Sequence, residues 1–296
     1  LGMLIIDESG QAVPQSALGA IYRTRRAVVV GDPLQVEPVV TIPKVLIDIL
    51  ADSTCVANEY KVIENSAQTF ADNINEFNGM IGERQVGCPL VVHRRCIEPM
   101  FSISNLISYD NRMFNKTNKK EEYLKPENPF LIKKSGWINV EGVENGGKDH
   151  FVKNQAERVC QLMEDAVHIY SDLFETDDKI FIITPFRTVA ESMRKFIISY
   201  FSAKGYDKEI LSKWTKNCVG TVHTFQGKDA NEVLLVLGCS NKSAGAMNWV
   251  VKKANILNVA CTRAKYRIAF IGNINDWKNR RYFREFIPKF IDTIDA

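Results

Sequence analysis

The chain has 296 residues, a length that favours one large domain or two domains of moderate size. Apolar residues make up 45% and charged residues 25%, which is the balance of a globular protein and excludes disorder as its main state. The formal net charge of +3 is too small for a protein that coats nucleic acid, but it allows a local basic groove.

The seven cysteines do not predict a disulfide framework, because their number is odd and the sequence contains no C-x-x-C pair that would indicate a zinc ribbon. Cys88, His93 and Cys96 come nearest to a metal-ligand cluster, but no fourth ligand follows at a suitable spacing. We therefore expect reduced thiols and a cytoplasmic protein. No apolar run reaches the ~20 residues of a membrane helix, so no membrane partner is expected.

Short β-branched runs alternate with longer amphipathic stretches along the chain. The predicted strands cover Met3 to Ile6, Ala27 to Val30, Trp137 to Val140, Lys179 to Thr184, Cys218 to Val222, Glu232 to Leu237 and Arg267 to Ile271. The predicted helices cover Ile97 to Tyr109, Asn154 to Phe174, Arg187 to Ala203 and Trp249 to Thr262. Strands this apolar are buried on both faces, so the pattern predicts a doubly wound α/β fold with a parallel sheet covered by helices. Residues 40 to 85 form a mixed connection, and residues 115 to 135 are expected to be an irregular excursion.

Two adjacent carboxylates, Asp7 and Glu8, follow the first predicted strand. They belong to the segment Leu4-Ile5-Ile6-Asp7-Glu8-Ser9-Gly10-Gln11. The carboxyl edge of a parallel sheet is where ligands bind, and there one carboxylate can hold Mg²⁺ while the next orients water. The alternative interpretation is an acidic turn that only ends a strand.

A second polar loop follows the next predicted strand. It reads Val28-Val29-Val30-Gly31-Asp32-Pro33-Leu34-Gln35-Val36-Glu37-Pro38. Gly31 allows a sharp turn and Pro33 fixes the path after it. The Gln35 amide both donates and accepts, which suits a terminal phosphate and its attacking water.

These two loops resemble motifs II and III of superfamily 1 helicases, Asp-Glu-x-x-Gln and Gly-Asp-Pro-x-Gln. Four later segments resemble further motifs of that family in the same order: Val92-His93-Arg94-Arg95-Cys96-Ile97-Glu98-Pro99-Met100, Ile182-Ile183-Thr184-Pro185-Phe186-Arg187, Thr221-Val222-His223-Thr224-Phe225-Gln226-Gly227-Lys228-Asp229 and Leu257-Asn258-Val259-Ala260-Cys261-Thr262-Arg263-Ala264-Lys265. The branch that the chain resembles most is that of the nonsense-mediated-decay helicase, in a form common among bacteria.

The resemblance implies a catalytic set for ATP hydrolysis. Asp7 would coordinate Mg²⁺, Glu8 would polarise the attacking water, and Gln35 would read the γ-phosphate. Arg94 and Arg263 would act as arginine fingers, which neutralise the charge that develops on the transferred phosphoryl group. Arg95 adjoins Arg94 and could take over its role.

The resemblance also implies residues that bind the nucleotide. These are Gly31, Asp32, His93, Gln226, Gly227 and Asp229. His93 stands where the family often has a tyrosine that stacks on adenine, and an imidazole offers a smaller stacking area. Asp229 replaces a glutamate and reaches less far towards the ribose, while Glu37 stands where a proline is common. These differences leave the preferred nucleotide open.

For nucleic acid, the resemblance places Thr184, Thr221 and His223 near the sugar-phosphate backbone. Capping of strand ends is an equally good explanation for all three residues. Arg187 could contact a phosphate or pair between domains. The expected partner is single-stranded or partly duplex nucleic acid, and the sequence does not separate DNA from RNA.

The family resemblance predicts two RecA-like units with ATP between them. Residues 1 to 85 would be the second half of the first unit and residues 86 to 296 a complete second unit. The sequence has no G-x-x-x-x-G-K-[ST] phosphate loop, which in the family lies upstream of the position of Asp7. We therefore expect the C-terminal part of a motor, with the remainder of the parent polypeptide upstream as its partner. Its first sheet should then show an unpaired edge and an incompletely covered apolar face.

The leading interpretation is an ATP-dependent helicase that uses Mg²⁺. The alternative is a nucleic-acid-binding or scaffold module whose motor has decayed. An intact phosphate loop upstream would support the helicase, and a loop without its glycine and lysine residues would support the decayed motor. A different P-loop enzyme, such as a small-molecule kinase, fits the two expected arginine fingers less well.

Overall fold

The computed structural model describes residues 2–57, 60–61, 65–81, 84–117, 129–146, 148–225 and 227–294. The chain divides into two compact units, Leu1–Val91 and Val92–Ala296, compared with the predicted boundary after residue 85. Residues 118–128, which make up the middle of the predicted excursion, lie outside the described part of the chain.

The first unit is built on a two-stranded parallel sheet of β1 (Leu4–Ile6) and β2 (Ala27–Val29). Helix α1 (Pro14–Tyr22) connects the two strands and carries a proline in its first turn, where no intrahelical N–H is needed. The predicted mixed connection contains α2 (Lys44–Ser53), α3 (Ala67–Ile74) and an antiparallel hairpin of β3 (Gly79–Ile81) and β4 (Arg84–Val86). Ser66 caps α3 in a capping box with Thr69.

Apolar side chains on the sheet of the first unit are exposed, as predicted: Ile5 on β1 is 66% exposed and Val28 on β2 is 44% exposed. Helices of this unit also expose apolar side chains, with Leu18 on α1 66% and Ile49 on α2 58% exposed. In the described residues β1 and β2 pair only with each other, so each strand has an unpaired edge. The expectation of an open edge and an uncovered apolar face is therefore confirmed.

The second unit contains a six-stranded, fully parallel sheet in the order β11-β10-β12-β13-β7-β14. Its strands are β7 (Gly136–Asn139), β10 (Ile180–Ile183), β11 (Val219–Gly220), β12 (Ala230–Val236), β13 (Ala264–Gly272) and β14 (Asp292–Thr293). The shorter strands β5 (Val92–His93) and β6 (Phe114–Asn115) pair in parallel, and β8 (Glu144–Gly146) and β9 (Asp149–Val152) form a hairpin.

Helices fill the connections of the second unit. They are α4 (Met100–Ser108), α5 (Lys153–Ile169), α6 (Arg187–Ser202), α7 (Lys208–Cys218), α8 (Ala244–Val250), α9 (Asn255–Arg263), α10 (Ile274–Trp277) and α11 (Phe283–Phe290). All four residues of β10 are buried, and Trp137 on β7 stacks on Phe270 of β13 with ring centroids 5.7 Å apart. The prediction of a parallel sheet that is buried on both faces is confirmed here.

Two predicted elements differ from the structure. The single helix expected from Trp249 to Thr262 is wrong, because α8 ends with bonds from Val251 and Lys252 to carbonyls of its last turn and α9 begins anew. No glycine or proline marks that break. Cys218 was expected to begin a strand, but it is the last residue of α7. The helical hydrogen bonding continues past it, since Val219 N donates to Thr215 O.

Candidate active site

In the first unit, the acidic pair lies at the carboxyl end of β1. Asp7 and Glu8 are both exposed, and Asp7 Oδ1 accepts from the Glu8 backbone N–H at 2.8 Å. Glu8 has a left-handed backbone (φ 51°), which is unusual outside glycine and redirects the chain at this point. Its Oε2 accepts from Gln11 Nε2 at 2.9 Å, so the carboxylate is held over the turn that follows the strand.

The loops after β1 and β2 pack backbone against backbone. A Cβ added to Gly31 would lie 2.6 Å from Gly10 N, and one added to Gly10 would lie 2.7 Å from Asp32 O. Both positions therefore require glycine for space, and the close approach brings the loop of Asp7 and Glu8 against the loop of Gln35.

The second loop is organised by Asp32. Its Oδ1 accepts from Leu34 N and its Oδ2 from Gln35 Nε2, both at 2.9 Å. Gln35 is half-buried, and its amide is oriented by this contact. Asp32, expected among the residues that bind nucleotide, orients Gln35 in the structure, and its contact with nucleotide stays a prediction.

A buried polar chain behind these loops was missed from the sequence. Ser9 Oγ donates to Gln68 Oε1 at 2.6 Å, Gln68 Nε2 donates to Asp72 Oδ1 at 2.8 Å, and Asp72 Oδ1 also accepts from Gly87 N at 3.0 Å. Ser9, Gln68 and Asp72 are all buried. These hydrogen bonds fix the loop next to Glu8 to helix α3 and to the segment after β4.

In the second unit, the His93 side chain contacts residues that follow it closely in the sequence. Its Nε2 accepts from Cys96 N at 2.9 Å and lies 3.1 Å from Cys96 Sγ, and its ring packs on Phe101 with centroids 5.3 Å apart. Cys88 is exposed and Cys96 buried, and all seven cysteines are free thiols. Arg94 is exposed and Arg95 half-buried, so Arg94 is the more accessible of the two.

Arg263 is only 1% exposed, at the end of α9. Its Nη1 donates to Lys228 O at 3.1 Å, which ties α9 to the loop after Gly227. The Arg263 guanidinium is therefore buried in this conformation, and its expected role as an arginine finger stays a prediction. In the same loop, Asp229 pairs with Lys265 at 2.7 Å, and Gly227 adopts a left-handed backbone (φ 71°). The structure does not describe Gln226.

The residues expected to contact nucleic acid differ in exposure. Thr184 is 1% exposed, and its N–H donates to Gly220 O at 2.9 Å, so it joins β10 to β11 instead of facing solvent. Thr221 is half-buried and its N–H donates to Thr224 Oγ1 at 3.2 Å. His223 is exposed, and Arg187 is exposed and pairs with Glu191 at 2.9 Å.

The predicted site residues thus form two groups. The first unit brings together Asp7, Glu8, Gly31, Asp32 and Gln35 on two packed loops. The second unit carries His93, Arg94, Thr184, Arg187, Thr221, His223, Gly227, Asp229 and Arg263. In the described parts of the chain, no helix combines the length and apolarity needed to cross a bilayer.

The parallel sheet with its covering helices defines a RecA-like α/β fold. A sequence profile described as an AAA domain matches residues 76–275, which is more than half of the chain, and the chain belongs to that family.

Several curated relatives of the chain are named as helicases. The uncharacterized ATP-dependent helicase MJ0104 of Methanocaldococcus jannaschii is 24% identical over 96% of this chain and 38% of its own length. Regulator of nonsense transcripts 1 of Caenorhabditis elegans is 26% identical over 97% of this chain and 24% of its own length. The resemblance to superfamily 1 helicases is confirmed at this level. The chain spans well under half the length of these relatives.

A solved structure titled as an arterivirus nonstructural protein 10 helicase in complex with DNA also matches. It is 12% identical, with a TM-score of 0.43 over 97% of this chain and 42% of that chain.

Proposed function

We propose that the chain is part of an ATP-dependent nucleic-acid helicase or translocase, placed in the C-terminal part of the motor. The observation that carries this proposal is the packing of two strand-end loops, in which Gly10 and Gly31 bring Asp7 and Glu8 against the loop of Gln35. Helicase relatives align along nearly the whole chain, which supports the same proposal.

Asp7 fits the role of a Mg²⁺ ligand, because it is an exposed carboxylate at the carboxyl end of a parallel strand. Magnesium sites of this class combine one or two carboxylates with substrate phosphates, so one aspartate from this chain suffices. Bound Mg²⁺ would neutralise charge on the nucleotide phosphates.

Glu8 would orient the attacking water and accept its proton, and its left-handed backbone and the bond from Gln11 hold it beyond the end of β1. Gln35, oriented by Asp32, would contact the γ-phosphate. Arg94 is exposed and could reach a phosphate. Arg263 would have to break its bond to Lys228 O before it could do so.

Single-stranded or partly duplex nucleic acid is the proposed partner, and His223 and Arg187 are the exposed candidates for its phosphates. The remainder of the parent polypeptide is the second proposed partner. The exposed Ile5, Leu18 and Ile49 of the first unit support it, because several large apolar side chains exposed on one unit are normally buried against another part of the protein. We place the protein in the cytoplasm and in the nonsense-mediated-decay-helicase-like branch of bacterial type.

A scaffold module with a decayed motor is the second candidate, and the burial of Arg263 favours it. The two candidates differ in one measurement, the nucleic-acid-stimulated ATP hydrolysis of the full-length parent. If the parent is a motor, Glu8→Gln should reduce this rate by roughly 10²- to 10⁴-fold and leave nucleotide binding intact. Glu37→Gln, at an exposed carboxylate two residues after Gln35, is the matched control and should leave the rate unchanged. A parent that does not hydrolyse ATP, or a Glu8→Gln variant with the parental rate, would support the scaffold instead.

A further inference from the structure

Three side chains of metal-ligand type converge next to the six-stranded sheet, at residues that have no part in the proposed ATP site. Glu144 begins β8, His150 lies on β9, and Cys239 follows the carboxyl end of β12. One ligand atom from each lies within 4.8 Å of the others, and Glu144 Oε2 is 3.0 Å from His150 Nδ1. Glu144 and Cys239 are buried and His150 is half-buried.

We propose that Glu144, His150 and Cys239 form a binding site for one divalent cation of the zinc class. A carboxylate oxygen, an imidazole nitrogen and a thiolate sulfur are all established zinc ligands, and a thiolate in the set disfavours Mg²⁺ and Ca²⁺. Three protein ligands would leave one position of a tetrahedral ion for water or another ligand.

The charge balance of the cluster favours a divalent ion. On binding, the Cys239 S–H bond breaks, a sulfur–metal bond forms and one proton leaves to solvent, while the imidazole of His150 binds as the neutral tautomer through Nδ1. The carboxylate and the thiolate together then carry two negative charges, which one divalent cation cancels.

The backbone holds Cys239 in this place at a conformational cost. Gly238 and Cys239 both have left-handed backbones (φ 62° and 57°), a conformation that cysteine rarely adopts. Cys239 N donates to His150 O at 2.9 Å, and a Cβ on Gly238 would lie 2.8 Å from the same oxygen. Strain of this kind persists where the surroundings enforce it and is common at functional sites. Here it directs the thiol towards the other two ligands.

Outer contacts hold the other two ligands in place. Glu144 Oε1 accepts from Ser240 Oγ at 3.1 Å, which leaves Oε2 on the His150 side. Burial alone would raise the pKa of Glu144, but hydrogen bonds from Ser243, His150 and Ser240 outweigh it and hold the pKa below the usual value. The His150 ring packs on Phe186 with centroids 4.7 Å apart. Such outer contacts orient metal ligands in known sites.

A pair of Glu144 and His150 without a metal would explain their 3.0 Å contact but not the presence of the Cys239 sulfur within 4.8 Å of the same groups. The proposed ion would join the β8–β9 hairpin to the turn after β12, two segments far apart in sequence. We therefore expect zinc to raise the thermal midpoint of the chain in a concentration-dependent manner.

The test is cobalt and zinc binding by the purified 296-residue chain. We expect a sulfur-to-cobalt charge-transfer band that titrates to about one ion per chain. Cys239→Ser should abolish the band, and Glu144→Gln should weaken cobalt binding by at least about tenfold. Cys88→Ser, at an exposed cysteine, and Cys96→Ser, beside His93, are the controls and should keep the band.

Zinc-edge X-ray absorption of the unmutated chain gives a second measurement that does not depend on how the variants fold. We expect one sulfur at about 2.3 Å together with nitrogen and oxygen ligands. An all-nitrogen-and-oxygen shell, the absence of a cobalt band in the unmutated chain, or a band lost only in Cys96→Ser would overturn the proposed site.

Discussion

Ser9 Oγ and Gln68 Oε1 lie 2.6 Å apart, in a hydrogen bond between residues 59 positions apart in the sequence. The bond joins the loop that carries Glu8 to helix α3. Because Gln68 also donates to Asp72 at 2.8 Å, the loop is held by a relay of buried side chains and not by its own backbone alone. Gln68 is therefore a positioning residue for the proposed water-activating glutamate.

Gln68→Ala should loosen this loop without removing any predicted catalytic group. The single hydroxyl hydrogen of Ser9, shared between Gln68 Oε1 and Val30 O, is then left to Val30 O at 2.8 Å, and the loop loses its link to α3. Buried Asp72 loses a donor. Removing one partner from buried polar groups costs about 1–3 kcal/mol. Hydrogen exchange of the Ser9 and Gly87 amides should accelerate correspondingly. Gln15→Ala, at an exposed position of α1, is the matched control, and equal protection in both variants would refute the positioning role.

The sequence predicted Asp7, Glu8 and Gln35 as site residues because they lie in the loops that follow two strands with a clear apolar pattern. Gln68 and Asp72 were not predicted as site residues because they lie in the mixed connection between residues 40 and 85. No apolar periodicity there showed which face of a helix is buried. Their role arises from the approach of three separate segments, at Ser9, α3 and Gly87. A pattern within one segment does not encode such a contact.

Glu232 on β12 ties the segment after the undescribed residues 118–128 to the sheet. Its carboxylate accepts from Leu131 N at 2.8 Å, Ile132 N at 2.6 Å and Tyr170 OH at 2.7 Å. Burial raises the pKa of Glu232 to about 7, although these hydrogen bonds oppose the shift. The folded state therefore holds a proton at pH values where the unfolded state, with a pKa near 4.5, has lost it.

The free energy of unfolding of the second unit should fall as the pH rises from about 4.5 to about 7 and level off above. The contribution of Glu232 to this fall is at most about 3 kcal/mol, set by the difference between a pKa of 4.5 and one of about 7. All four tryptophans lie in the second unit, so their fluorescence during urea unfolding at pH 5 and pH 8 measures it.

Glu232→Gln should remove this part of the pH dependence. It should also lower stability at pH 5, because an amide has one oxygen for the two backbone N–H groups of Leu131 and Ile132. Glu175→Gln, at an exposed carboxylate, is the control and should keep the slope of the unmutated chain. An unchanged slope in Glu232→Gln would show that the carboxyl titrates normally.

The long strands of the second unit were predicted well because burial on both faces leaves uninterrupted apolar runs, as in β10 and β12. The two short hairpins were not predicted. β3 and β4 have three residues each, and β8 and β9 have three and four, too few to show an alternation. The break between α8 and α9 was missed for a related reason, since tertiary packing and not a helix-breaking residue sets it.

The 296-residue chain by itself should bind ATP weakly and hydrolyse it negligibly. It has no G-x-x-x-x-G-K-[ST] segment, so the β- and γ-phosphates lack the backbone cradle and lysine that such a loop supplies. Measurable turnover that Glu8→Gln abolishes would show that other residues bind the phosphates. Turnover that persists in Glu8→Gln would indicate a contaminating enzyme.

Arg263 gives the sharpest test of the proposed motor because its two possible roles predict different results. If Arg263 reaches the γ-phosphate in the full-length parent, Arg263→Ala should reduce nucleic-acid-stimulated hydrolysis by roughly 10³-fold or more and largely preserve ATP affinity. If it serves only to hold Lys228 O, the main effect should be lower stability of the second unit, seen in tryptophan fluorescence.

Lys228→Ala provides the comparison, because it alters the exposed side chain at that position and leaves the backbone carbonyl that Arg263 contacts. We expect it to preserve both stability and hydrolysis. A stable Arg263→Ala variant with half the parental rate would place Arg263 outside the reach of the γ-phosphate. Arg94, which is exposed, and its neighbour Arg95 would then be the remaining candidates for the arginine finger.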